Sequence, residues 1–319
     1  MDNDLILEVK NLRTYFTTEG KIKEVIDDFS FSIKKGKVMG LVGVSGTGKS
    51  VIGMSILNLI SKPGQIVGGK VLFKGRDLLK IHERELQRIR GCDLALVSQD
   101  PYTSMDPLYT VGNQLVEVIR AHEVVSRKEA KEKAIHLLTI VGIPDPESRM
   151  LNFPHQFSGG MQQRVVIAMA IACNPSLIIL DDPTRSLDVT IQAQILAVLS
   201  QLRVRFDTTM LLISASVQVV AQFADDVMTI FGGHCMEIGP KQSVFRKPCH
   251  PYTKDLLQAV PSIEGKQVNK LKGLDALHKE NHAQGCVFYT YCSKAQRKCL
   301  EVPPGLVQVG ENHFCACHF

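Results

Sequence analysis

The chain has 319 residues, 45% hydrophobic and without Trp, enough for one large domain with its own core and an appendage. Its 37 Lys and Arg against 32 Asp and Glu leave a net charge of +5, with the basic residues scattered, which argues against nucleic acid as the main partner. The opening Met1-Asp2-Asn3-Asp4 does not read as a secretory leader, and the longest apolar run, Val165 to Cys173, is too short to span a bilayer.

Residues 5–90 read as strands alternating with turns, then a helix. Lys37-Val38-Met39-Gly40-Leu41-Val42 is a plausible strand, and Val51 to Leu57 a helix. Between them lies Gly43-Val44-Ser45-Gly46-Thr47-Gly48-Lys49-Ser50, a full G-x-x-x-x-G-K-[S/T] motif in the context that makes it specific. Its glycines let the backbone curl so that N–H groups point at phosphate oxygens, and the helix N-terminus adds its positive dipole end. The candidate nucleotide-binding residues are Gly43, Ser45, Gly46, Thr47, Gly48, Lys49, Ser50 and Val51. Lys49 is expected to reach the β and γ phosphates, and the Ser50 hydroxyl to bind Mg²⁺.

Residues 103–160 look mostly helical, including an amphipathic helix over 126–138 with Ser126 as its cap. Ser158-Gly159-Gly160 then opens an apolar helix; alone it is an N-cap with flexible residues, or a hydroxyl and N–H groups offered to an anion. Leu177 to Leu180 is a buried strand ending in two carboxylates, Asp181 and Asp182, and Leu211 to Ser216 contains the next. Alternating helix and strand over 165–240 suits a mainly parallel sheet, hence an α/β fold.

Five of the nine cysteines fall after residue 285: Cys286, Cys292, Cys299, Cys315 and Cys317. Their spacing is not the C-x2-C of common zinc sites. Cys92, Cys173, Cys235 and Cys249 read as small apolar fillers.

Taken in order, these motifs resemble ATP-binding cassette (ABC) proteins. Phe157-Ser158-Gly159-Gly160-Met161-Gln162-Gln163-Arg164 resembles the signature motif, Gln99 the Q-loop glutamine, Asp181 the carboxylate that holds Mg²⁺, and Ser186-Leu187-Asp188 the D-loop. Phe16 resembles the aromatic that stacks on adenine, with Tyr15 the competing choice. Ser50, Gln99 and Asp181 would be the Mg²⁺ group, and Ser158, Gly159 and Gly160 would face a nucleotide. The segments 99–107, 153–157, 188–195 and His250-Pro251-Tyr252-Thr253 are similar to the dipeptide, oligopeptide and nickel importer ATPases. The resemblance runs from about Leu5 to His318.

It implies a nucleotide-binding domain over 1–260. That domain would combine a mainly parallel core sheet, an antiparallel N-terminal β part and a helical subdomain near 103–160. A Cys-containing extension would follow over 261–319. It also implies a peripheral subunit on the cytoplasmic face of the membrane that couples ATP to import of peptides, related solutes or nickel. Its partners would be a second ABC ATPase subunit, two transmembrane permeases and, indirectly, an extracytoplasmic solute-binding protein.

Two positions depart from the family. Glu usually follows the Walker B Asp as the base that polarises water; here it is Asp182, one methylene shorter. Thr-His-Asp is usual where this chain has Ser214-Ala215-Ser216, and Ala215 has no polar atom. Asp182 and Gln99 remain the candidate catalytic residues, and weak intrinsic hydrolysis is expected because positioning and electrostatics dominate phosphoryl transfer. The intact signature motif would complete the site of a competent partner cassette, giving an asymmetric heterodimer; the alternative is a non-hydrolysing regulatory subunit. In the tail, Cys286, Cys292, Cys299 and Cys317, with Cys315 as a substitute for the last, resemble the subfamily motif that in some members binds a 4Fe-4S cluster. Another metal such as zinc, or unmetallated thiols, are the alternatives.

Overall fold

The computed structural model describes residues 4–18, 20–259 and 284–319; the start of the expected extension, 261–283, lies outside the described residues. The strands and helices begin with β1 (Leu5–Thr18), β2 (Lys21–Lys34), β3 (Val38–Val42), α1 (Lys49–Ile56), β4 (Gly64–Phe73), β5 (Arg76–Asp77), α2 (Glu83–Ile89) and β6 (Leu94–Val97). They continue with α3 (Pro101–Ser104), α4 (Val111–His122), α5 (Arg127–Ile140), α6 (Pro146–Arg149), α7 (Gly159–Ala170), β7 (Leu177–Asp181), α8 (Val189–Phe206) and β8 (Thr209–Ser214). The last are α9 (Val217–Phe223), β9 (Asp226–Phe231), β10 (His234–Pro240), α10 (Lys241–Arg246), α11 (Pro251–Gln258), α12 (Arg297–Glu301), β11 (Val307–Gly310) and β12 (His313–Cys315).

The chain divides into two compact units. The first holds Met1–Ile33, Lys37–Leu79 and Leu212–Phe319. One of its sheets has the order β2-β1-β4-β5, with β1 and β4 antiparallel from Leu7↔Phe73 to Phe16↔Gly64. In its second sheet β3 lies parallel to β9, β9 pairs antiparallel with β10, and β10 continues antiparallel to β12 and then β11. All five residues of β3 are buried, as an unbroken apolar run in the middle of a parallel sheet requires. Helix α9 lies against β3 where Gly40 leaves room: a Cβ there would come within 2.4 Å of Val220. Asp225 brackets the start of β3, its carboxylate accepting from the Val38 N–H at 2.9 Å and its own N–H donating to the Val38 carbonyl.

The second unit holds Lys34–Gly36 and Lys80–Leu211. Here β6 and β7 run parallel from Leu94↔Leu177 to Val97↔Leu180. The α4–α7 segment forms the helical part. Helix α5 starts on a reciprocal capping box between Ser126 and Glu129 and buries Ala130, Ala134, Leu137 and Leu138, one face of a 3.6-residue repeat. Arg164 of α7 donates to the Val141 and Gly142 carbonyls after α5 and to Gln194 of α8, tying three helices together. The chain passes from the second unit to the first within β8. Among the described residues no helix is long and apolar enough to cross a membrane.

Candidate nucleotide site

The loop 43–50 follows β3 and opens α1, as its sequence demands. Gly46 (φ 82°) and Gly48 (φ 95°) adopt left-handed conformations that a Cβ would strain, so these two glycines are required by backbone shape. Gly48 stands at the N-cap of α1 without a side-chain cap, and the first turn carries no acidic residue. The helix end therefore offers its N–H groups and positive potential to an anion. Lys49 is buried, its ammonium donating to the carbonyls of Gly43 (2.8 Å) and Val44 (2.7 Å), while the Thr47 hydroxyl donates to Val44 (2.9 Å). The loop is thus cross-braced around Val44. The Thr14 and Ser55 hydroxyls, 2.9 Å apart, join β1 to α1.

Two supports come from further along the chain. The Gly233 N–H donates to the Thr47 carbonyl at 3.2 Å. The Val44 N–H donates to the Tyr252 hydroxyl at 3.1 Å. Tyr252 is fully buried, and that burial raises its pKa, so the phenol stays protonated. Gly43 is also sterically fixed, since a Cβ would lie 2.4 Å from the Ile230 carbonyl oxygen. The sequence singled out His250-Pro251-Tyr252-Thr253 as a family hallmark without a role; contact with the phosphate loop is what it lacked.

Of the two candidate aromatics, Phe16 packs over Gly64, where a Cβ would meet its ring at 2.6 Å. Tyr15 instead donates to Asp27 at 3.4 Å, and burial followed by the Asp27 charge raises its pKa. Ala215 is exposed just beyond β8, flanked by Ser214, whose hydroxyl accepts from the Ser216 N–H, and by Ser216, which caps α9.

The remaining predicted site residues belong to the second unit. Asp181 ends β7, and Asp182 follows in a left-handed conformation, φ 46°, which Asp tolerates better than most residues. Gln99 is half-buried just after β6, followed by Asp100, which caps α3 through the Tyr102 N–H. Ser158 caps α7 by accepting from the Met161 N–H. Gly160 is required by packing, because a Cβ would press to 2.6 Å from Ile191 of α8. Gly159 is not: its nearest neighbour would be 3.8 Å away. Gln192, which sequence reasoning passed over, donates to the Thr184 and Leu187 carbonyls and so pins the turn containing Ser186.

The C-terminal cysteines gather in the first unit. Cys286, Cys292, Cys299 and Cys317 all line one cavity of about 740 Å³, bordered also by His250 and Phe288. Burial pushes the Cys286 and Cys292 thiols up. Cys315 is buried and faces Cys249, and does not line the cavity. Cys249 also lines it. Among the described residues no group of three or more His, Cys, Asp or Glu is arranged to hold a metal ion.

Comparison with known families decides what this arrangement is. The ABC transporter family model matches residues 26–185, and the model of the oligopeptide/dipeptide transporter C-terminal region matches 236–299. Oligopeptide transport ATP-binding protein OppD of Bacillus subtilis is 41% identical over 97% of this chain and 87% of its own length. This chain belongs to the ABC transporter ATP-binding proteins. Its branch is the one with the oligopeptide/dipeptide C-terminal region. Dipeptide transport ATP-binding protein DppD of Escherichia coli is 40% identical over 98% of this chain and 96% of its own. Among solved structures, the MJ0796 cassette dimer bound to ADP and Pi superposes with a TM-score of 0.67 at 24% identity, over 74% of this chain and 98% of that one. The cassette is thus of the ABC ATPase fold, α/β with mixed sheets, as the sequence implied.

Proposed function

We propose that this cassette is the ATP-binding, energy-coupling subunit of a membrane importer for peptides or related solutes, nickel included. It binds MgATP and pairs with a second cassette that supplies the competent catalytic site. The observation that carries the reading is the phosphate loop, intact in sequence and held in its left-handed shape at Gly46 and Gly48, in a chain similar along nearly its whole length to peptide-transport ATPases. Lys49 and the α1 N-terminus would bind the phosphates, Ser50, Asp181 and Gln99 the Mg²⁺, and Phe16 the adenine. Asp182 and Ala215 make the chain's own site slow. The signature residues Ser158, Gly159 and Gly160 would serve the partner's nucleotide; Gly159 supports this, since an added Cβ would make only ordinary contact with Leu187 at 3.8 Å and no described residue requires a glycine there. The subunit would sit on the cytoplasmic face of the membrane against two permeases, with a solute-binding protein on the far side.

Asp182 and Ala215 also favour a second reading, a regulatory subunit that binds ATP without turning it over. Equilibrium MgATP binding and turnover by the parent and by Lys49→Ala test both. Binding lost in Lys49→Ala, with negligible turnover by the parent alone, is expected. Fast parental turnover abolished by Lys49→Ala would refute the slow site. Stimulation of turnover by a co-expressed second cassette supports the importer reading; none supports the regulator.

We propose the cysteine cavity as the place where a 4Fe-4S cluster would bind. What supports the reading is the donor set, four cysteines lining one cavity, since four thiolates suit such a cluster; zinc or unmetallated thiols are the alternatives. Cys286, Cys292, Cys299 and Cys317 would hold it, and it would supply a one-electron redox centre or a structural staple. Protein purified anaerobically without iron or acid-labile sulfide would eliminate it.

A further inference from the structure

The phosphate loop is connected to the C-terminal extension by an unbroken run of hydrogen bonds, buried beyond the first. The Val44 N–H donates to the Tyr252 hydroxyl at 3.1 Å. The Tyr252 N–H donates to Nδ1 of His250 at 3.0 Å. The N–H of His250 donates in turn to Oε2 of Glu237 at 2.9 Å. Oε1 of Glu237 lies 2.7 Å from Nε2 of His313, which belongs to the extension's β12. Glu237 is 0% exposed and His313 6%, so neither can exchange its partner for water. Phe288, also from the extension, packs edge-on against Tyr252 (centroids 5.4 Å apart) and His250 (5.8 Å apart).

We propose that Tyr252 is a positioning residue for the phosphate loop, and that His313 and Phe288 of the extension hold it in place through Glu237 and His250. The extension thereby tunes nucleotide affinity from outside the loop. The physical reason is preorganisation. Val44 is the corner on which Lys49 and Thr47 converge, and the Tyr252 hydroxyl fixes that corner before ATP arrives. Without it, ordering the loop is charged against binding. A loop is normally read through the groups that touch phosphate; here the Val44 amide is committed to the protein, and its contribution reaches the ligand only through loop shape. The inference rests on the reading that the loop binds MgATP.

The test is MgATP affinity by calorimetry on the full chain, with the melting temperature of each variant measured without nucleotide. Tyr252→Phe removes the hydroxyl and keeps the ring. One such hydrogen bond predicts a Kd raised about 3- to 10-fold, beside a melting temperature lowered by no more than about 2 to 4 °C. His313→Ala should raise the Kd in the same direction, and His313→Gln, which keeps a donor toward Glu237, should restore it. The Tyr252→Phe/His313→Ala double variant should lose less than the product of the two single effects, because the residues lie on one path. A Kd equal to the parent's in Tyr252→Phe overturns the positioning role. A lower melting temperature with parental Kd in His313→Ala overturns the role of the extension. A parent that itself fails to bind MgATP would instead overturn the reading of the loop.

Discussion

Replacing Asp182 with Glu and Ala215 with His together tests the proposal that these two side chains slow hydrolysis. The added methylene carries the 182 carboxylate about 1.5 Å further. A misplacement of about 1 Å at a reacting centre can cost about 10²-fold. The histidine adds one preorganised contact, a kind whose loss costs about 10² to 10³ in rate. Under the proposed function both side chains would serve one hydrolysis step, so their effects need not multiply, and a combined gain of at least about 10² is the expectation. The structure makes the test fair. Ala215 is exposed, so an imidazole there need not be buried. Asp182 has φ 46°, which Glu occupies less readily, so a small loss of stability should accompany the gain in rate. The assay is single-turnover cleavage of radiolabelled ATP by quench flow, with protein in excess and binding shown to be saturated. Equal, fast cleavage by parent and double variant would refute the reasoning and make this cassette an ordinary ATPase.

Two further expectations concern stability. Gly160→Ala should destabilise by about 1 to 3 kcal/mol, because its Cβ would stand 2.6 Å from the stiff Ile191 side chain, and Ile191→Ala should relieve it; Gly159→Ala, whose Cβ would make ordinary contact with Leu187 at 3.8 Å, should leave the melting temperature unchanged. An equal loss in both glycine variants, read by thermal melting, would show that the α7–α8 packing is not the cause. The second concerns His250, whose pKa burial lowers from 6.5 to about 4. The unfolded chain therefore binds a proton that the folded one refuses as pH falls from about 6.5 to about 4, and stability drops across that window. Between pH 7 and pH 5 this amounts to about 2 kcal/mol, measurable by urea unfolding. His250→Asn keeps a capping acceptor and should flatten that part of the profile; an unchanged pH slope would show that His250 is not the group responsible.

Much of this protein was legible in sequence because its chemistry is local. A phosphate loop is eight consecutive residues whose glycines are dictated by their own φ angles, and Gly46 and Gly48 adopt them. Ser126 and Glu129 cap α5 reciprocally across three residues, and Ser158 caps α7 one-sidedly across the same span. The unbroken apolar runs of β3, β7 and β8 mark strands buried on both faces wherever they are placed. Tertiary structure decided what depends on approach between distant segments. Nothing in the local pattern says that Gly43 must be small because the Ile230 carbonyl passes 187 residues later, or that Gly160 must yield to Ile191 while Gly159 need not. No periodicity marks Glu237, an acid inside a strand, as the buried acceptor for Cys249, His250 and His313. Hydrogen bonds and van der Waals contacts act over a few ångströms of space, so they appear in sequence only where the chain itself brings their partners together; Val44 and Tyr252 meet only because the sheet folds them side by side.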